Sequence, residues 1–146
     1  LQALASRSFY TVPKRTVGGM DSGRVALLLA VMEKRAGKKL FDQDVYINVA
    51  GGLALSDPAA DLAVCVAVAS SLMGFTLSPT LSVMGEVGLC GEVRPVAQAE
   101  RRVAECVRLG FTDILLPRQN LKRLRPIDGV RMTGVDTLMQ ALAVVG

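Results

Sequence analysis

The chain has 146 residues, enough for one domain with a substantial core, and its 51% hydrophobic against 21% charged residues argue against disorder. Only 4% are aromatic, so the core must be aliphatic, and 17 basic against 13 acidic residues give a net charge of +4, compatible with a polyanionic partner. Histidine is absent, which excludes a Ser–His triad, a Cys–His dyad and any zinc site that needs an imidazole.

Leu1 to Arg15 reads as an extended, basic N-terminal segment, in which Pro13-Lys14-Arg15 lies close to Phe9 and Tyr10. Leu1 to Tyr10 lacks the apolar run of a signal peptide, and a chain that starts with Leu suits a piece of something longer. "GGMDSG" (18–23) then leads into "RVALLLAVMEKRAG". Asp21 or Ser22 serves as N-cap, basic residues close the last turn and Gly37 stops it, which predicts a helix of about four turns. "DVYINVAGG" (44–52) alternates like a strand.

"LSDPAADLAV" (55–64) opens like the mouth of an active site, yet offers two alanines where a nucleophile would sit. Ser56 or Asp57 caps a helix from about Pro58 to Met73, ended by Gly74, and Ser56 reads as a cap rather than a displaced nucleophile. Its Leu62 to Ala69 stretch is apolar all round, hence buried, and too short to span a bilayer. "LSVMGEVGLCGEVRPV" (81–96) holds two strand-like pieces around Gly88 to Gly91, a hairpin signal, with Gly85, Gly88 and Gly91 as backbone necessities. A helix over about Ala97 to Leu109, strands at 112–117 and 129–135, and a last helix capped by Asp136 complete the chain. The expected fold is α/β or α+β, with helices packed on a mixed β-sheet in a single domain, 1–146.

Cys65, Cys90 and Cys106 lie far apart and are odd in number, as in a reduced, cytoplasmic protein without a metal site. Asp42 and Asp44 read as solvent-facing loop acids rather than a metal pair. There is no GxxxxGK[ST] loop, so no ATP site is expected within this chain.

Two blocks carry a resemblance. "GEVGLCGEVRPVAQAERR" (85–102) resembles the lysine-bearing motif of Lon-type proteases, roughly "GEITLRGRVLPIGGIKEK", and "LSDPAADLAV" falls where that family carries its serine, in roughly "PKDGPSAG". Within that superfamily, "TVGGMDSGRVALLLAVMEKRAGKKLFDQDVYINVAGG" resembles the C-terminal domain of the RadA (Sms) family of bacterial RecA-like repair ATPases. The resemblance implies the Lon protease domain fold over nearly the whole chain, with residues 1–15 following a RecA-like ATPase domain that holds ATP and magnesium.

Aligned on Pro58, the family's catalytic serine falls on Ala59; aligned on Gly85, Gly91 and Pro95, its catalytic lysine falls on Glu100. A methyl group cannot form an acyl-enzyme, and a carboxylate cannot act as a neutral amine base. No lysine occurs between Lys39 and Lys122. The resemblance then implies a non-catalytic domain: a homo-hexameric ring scaffold and DNA-binding module for branch migration, with DNA and a RecA-like recombinase as partners and no membrane. Lys14 and Arg15 are DNA-contact candidates from their position, and Arg24, Arg35, Arg94 and Arg102 from positions that are basic in the RadA family. The alternatives are solvated charges or subunit-interface ion pairs for these residues. For the domain they are a Lon-type Ser–Lys peptidase with another nucleophile, or a purely structural oligomerisation module.

Overall fold

The computed structural model describes residues 1–146. The extended N-terminal segment is strand β1 (Gln2–Arg7), and β2 (Arg15–Gly18) follows it. Both flank β3 (Gln43–Asn48): β1 pairs with it antiparallel and β2 parallel. Parallel neighbours need a long crossover, and helix α1 (Ser22–Ala36) supplies it between β2 and β3. Asp21 caps α1 by accepting the Arg24 N–H at 3.0 Å, and Gly37 closes it at φ 65°. Val25, Leu28, Leu29 and Met32 form its buried stripe, the spacing that one helix face requires.

Beyond β3 the backbone makes a 3-10 turn at Ala50–Gly52 and runs extended to Asp57. A second 3-10 turn, Pro58–Ala60, leads into α2 (Asp61–Met73), which Gly74 terminates. The cap is Asp57, whose carboxylate accepts the Ala59 N–H at 3.0 Å; Ser56, the other candidate, is exposed. Leu62, Val64, Cys65, Val66, Val68 and Ala69 of α2 are all buried, as the all-round apolar stretch requires. Each Val or Leu buried in this way contributes about 1.5–3 kcal/mol.

The second half contains β4 (Leu81–Val83), β5 (Glu86–Val87), β6 (Val93–Arg94), α3 (Ala99–Arg108), β7 (Asp113–Pro117), α4 (Arg118–Leu121), β8 (Arg131–Val135) and α5 (Leu138–Val145). Strands β4, β7 and β8 form a parallel sheet in that order, while β5 and β6 make a separate hairpin. The single mixed sheet expected from the sequence is therefore divided: the first sheet is mixed, the second is parallel, and the 81–96 region contributes to two of the three strand assemblies. The one-turn α4 has no counterpart among the expected elements.

Strand β7 is covered on both sides, the usual state of a parallel sheet. Leu115 joins a main core with α1, α2, α5 and the first sheet, whereas Ile114 and Leu116 join a smaller core with Ala59, Met84, Val96 and Val103. Two further expectations are corrected. Thr137 rather than Asp136 caps α5, accepting the Gln140 N–H at 3.1 Å, because the Asp136 carboxylate is drawn to Arg118 at 2.8 Å. Asp44 is buried rather than solvent-facing, and its carboxylate accepts the Lys14 N–H at 2.6 Å. No helix is long and apolar enough to cross a membrane.

Candidate functional site

The turn that leads into α2 and one flank of α3 face each other across an open cleft of about 620 Å³. Leu55, Asp57, Ala59 and Ala60 form one wall, and Gln98, Arg101, Arg102, Glu105 and Cys106 form the other. Ala59 thus sits where the sequence places it, at the mouth of the helix, with its N–H taken by Asp57. Glu100 is not brought to it. A helix turns by about 100° per residue, so positions 98, 101, 102 and 105 look into the cleft. Glu100 instead lines a separate depression with Val103, Ala104, Arg123, Leu124 and Arg125.

The cationic groups in the cleft are guanidiniums. Arg102 pairs with Asp57 at 2.8 Å and donates from Nε to the Ala97 carbonyl at 2.7 Å. The Ala59 N–H and then Arg102 hold the Asp57 carboxyl below its ordinary value. Gln98, which precedes α3, has φ 56° and is the one non-glycine residue with positive φ, a costly conformation for its type. Cys106 of this wall and Ser82 approach within 3.2 Å of each other. Ser56 is exposed and lines a neighbouring depression with Asp21, Arg24, Asp61 and Glu86, among whose lining residues there is no lysine.

The structure scatters the six basic candidates, and each already has a partner within the chain. Arg24 is turned inward: Nε donates to Asp61 Oδ1 at 3.1 Å, and a second nitrogen contacts both Asp61 Oδ2 and the Val87 carbonyl at 3.3 Å. Arg15 folds back onto the carbonyls of Gln43 and Leu40, the latter at 2.8 Å. Lys14 places its ammonium 4.4 Å from the centroid of the Tyr10 ring, and its pKa is raised mainly by Tyr10. Arg35 reaches the Leu89 carbonyl at 3.3 Å. Arg94, half exposed, lies 3.5 Å from Glu92 and 3.9 Å from Glu86. Arg24 alone is locked to a buried carboxylate; Lys14, Arg35 and Arg94 are exposed, and Arg15, also exposed, is engaged by backbone carbonyls.

Sequence reasoning missed two features. Asp61 is 1% exposed and joins three elements, since its Oδ2 also accepts the Val87 N–H at 3.1 Å. Its signal was a lone acid heading an apolar run, because such an acid is almost never buried unpaired. Arg101 was the other, legible only through the phase of α3, which sets it beside the already named Arg102 in the cleft wall.

Comparison with known proteins places these features in a family. The model of the Lon protease (S16) C-terminal proteolytic domain matches residues 24–142. "DNA repair protein RadA" of Halalkalibacterium halodurans is 43% identical over 144 residues, covering 99% of this chain and 32% of that protein. The protein of the same description from Bacillus subtilis (strain 168) is 43% identical over 142 residues, covering 97% and 31%. That from Streptococcus pneumoniae (strain R6) is 42% identical over 142 residues, covering 97% and 34%. The chain spans about a third of the length of these relatives.

Proposed function

Since this chain belongs to the Lon protease (S16) C-terminal proteolytic domain family, we propose that it is a member without peptidase chemistry, acting as a scaffold and DNA-binding domain of a DNA repair protein. The repair context comes from its relatives, which carry that description over nearly all of this chain. The observation that carries the loss of chemistry is the cleft. A methyl group, Ala59, occupies the helix mouth, and the facing wall offers guanidiniums where the reaction needs an amine that can lose its proton.

What remains in such a site is a charge-balanced cleft, with Arg101 and Arg102 against Asp57 and Glu105. Phosphate contact falls instead to exposed cations elsewhere on a chain whose net charge is +4. Lys14, Arg35 and Arg94 supply backbone contacts, while Arg15, Arg24 and Arg102 mainly hold the fold and act on DNA through it. The domain closes head to tail into a homo-hexamer, an assembly that needs two different faces per subunit. ATP and magnesium act in a motor domain elsewhere in the parent protein, which works beside a RecA-like recombinase in the cytoplasm.

The decisive experiment has three arms on one preparation. Unfolded casein and a serine-directed probe should give neither turnover nor labelling, in the wild type or in Ala59→Ser. Fluorescence anisotropy with duplex DNA should show binding whose logarithm falls with log salt by about 0.9 per phosphate contacted. Mass in solution reports the ring. Labelling that disappears in Ser56→Ala would restore a peptidase, and a ring with no DNA response at low salt would leave a structural module.

A further inference from the structure

Only six residues of the chain are aromatic, four Phe and two Tyr, and three of them crowd onto one end of the first sheet. Phe9 is 94% exposed, Phe41 67% and Tyr10 56%. Phe9 and Tyr10 lie in the turn after β1 and Phe41 in the turn before β3. The two turns are joined by a 2.7 Å hydrogen bond from the Ser8 N–H to the Asp42 carbonyl. Val12, 78% exposed, belongs to the same end. Exposing large aromatic surface in a chain so poor in it costs solvation that the fold does not recover.

Cations surround these rings. Arg7, Lys14, Lys38 and Lys39 lie in or beside the same two turns, and none of them forms an ion pair. Arg15 braces the turns from beneath by donating to the carbonyls of Leu40 and Gln43. The local acids offset only part of this charge. Asp44 is buried against the Lys14 N–H, which leaves two exposed carboxylates, Asp42 and Glu33, the latter accepting the Leu40 N–H at 3.0 Å. Lys14 already lies over the Tyr10 ring, so the rings and the positive charge form one surface.

We infer that this end of the first sheet is a stacking platform for unpaired nucleotide bases, so that the domain grips single-stranded DNA in addition to any contact with duplex. Phosphates alone would need only the cations. Exposed rings add something a duplex cannot use, because its bases already stack on one another, whereas each unpaired base presents a free π-face. Three rings match two or three consecutive bases, with Arg7, Lys14, Lys38 and Lys39 tracking the intervening phosphates. The inference rests on the DNA-binding reading above and specifies the form of DNA and the surface that takes it.

The test uses dye-labelled oligonucleotides of one length, single-stranded, duplex and single-stranded abasic, at a fixed salt concentration. Phe9→Ala with Phe41→Ala should weaken single-strand binding by at least roughly fivefold per ring, while duplex affinity changes by less than about twofold. The abasic strand should bind the wild type at least as weakly as the normal strand binds the variant, which keeps Tyr10. Lys38→Ala with Lys39→Ala should lower the salt slope for all three oligonucleotides. With no tryptophan in the chain, single strands should quench tyrosine emission, and Tyr10→Phe should abolish the quenching while keeping affinity. Equal loss of single-strand and duplex binding, or no loss, would overturn the platform while leaving the DNA-binding reading standing. Failure of the wild type to bind either form would overturn both. A change of oligomeric mass in Phe9→Ala with Phe41→Ala would reassign the rings to contacts between copies of the chain. All the substituted side chains except the half-buried Lys38 are exposed, and unchanged melting temperatures would confirm that the variants are folded.

Discussion

Arg24, in the first turn of α1, grips Asp61, in the first turn of α2, through two nitrogens, and the same carboxylate receives the Val87 N–H of the hairpin at 3.1 Å. The pair thus ties two helix starts and the hairpin at one point. It is lopsided: the Asp61 side chain is 2% exposed and that of Arg24 33%. Removing the arginine strands a carboxylate away from water, while removing the acid leaves a guanidinium that water can reach. Arg24→Ala should therefore cost about 3 kcal/mol or more and Asp61→Asn less. Urea midpoints compared across the two variants check the order, and the reverse order would mean that Asp61 is not the buried member.

Asp57 gives a pH signature. Its pKa is lowered in the folded protein, first by the Ala59 N–H and then by Arg102, so its stabilisation is present above the unfolded value near 4. It disappears as pH falls through the lower folded value. Asp57→Ala should cost about 1 kcal/mol at pH 7, the usual worth of such a cap. The gap between wild type and variant should shrink by pH 3. Denaturant titrations at both pH values measure it, and an undiminished gap at pH 3 would assign the effect to packing.

Two glycines with positive φ should respond differently. Gly19, at φ 85°, would place a methyl group 2.6 Å from the Leu53 carbonyl oxygen and 2.7 Å from Val49 Cβ. Gly37, at φ 65°, has nothing within 4 Å of the same position. Gly37→Ala should cost only the left-handed strain, about 1–2 kcal/mol. Gly19→Ala adds a collision with backbone and should cost more, with loss of the 2.7 Å bond from the Leu55 N–H to the Gly19 carbonyl. Thermal melts of the two variants decide.

The thiols should label in sequence. Cys90 is exposed and Cys106 partly so, whereas burial pushes the Cys65 thiol up to about 12. A thiol reagent at pH 8 should modify Cys90 first and reach Cys65 only after denaturant is added. Mass spectrometry after timed quenching follows this, and modification of native Cys65 would imply that α2 opens locally.

The sequence was most legible where a signal is local. Asp21, Gly37 and Gly74 end helices where their own backbone preferences put them, and the apolar run of α2 is buried as its pattern required. Adjacent polar residues defeated the same reasoning by a single place. Of the two caps offered before α2 the structure takes Asp57 over Ser56, and Thr137 takes the cap assigned to Asp136, where a distant partner, Arg118, decided it by claiming the Asp136 carboxylate. Pairings across the chain left no local trace. Leu81–Val83 joins β7 across some thirty residues rather than the hairpin beside it. Glu100 shows the limit of alignment: a position in a motif does not say which side of α3 the residue faces.

The interior is split into two apolar bodies that share β7, and the floor of the cleft belongs to the smaller one while the stacking end of the first sheet belongs to the larger. Such a division gives the molecule two units of local opening rather than one. The amides of α3, which rests on the minor body, should exchange with deuterated solvent well before those of α2. Loosening on the α3 side would then widen the cleft while the larger body, which carries the sheet that presents Phe9 and Phe41, stays packed.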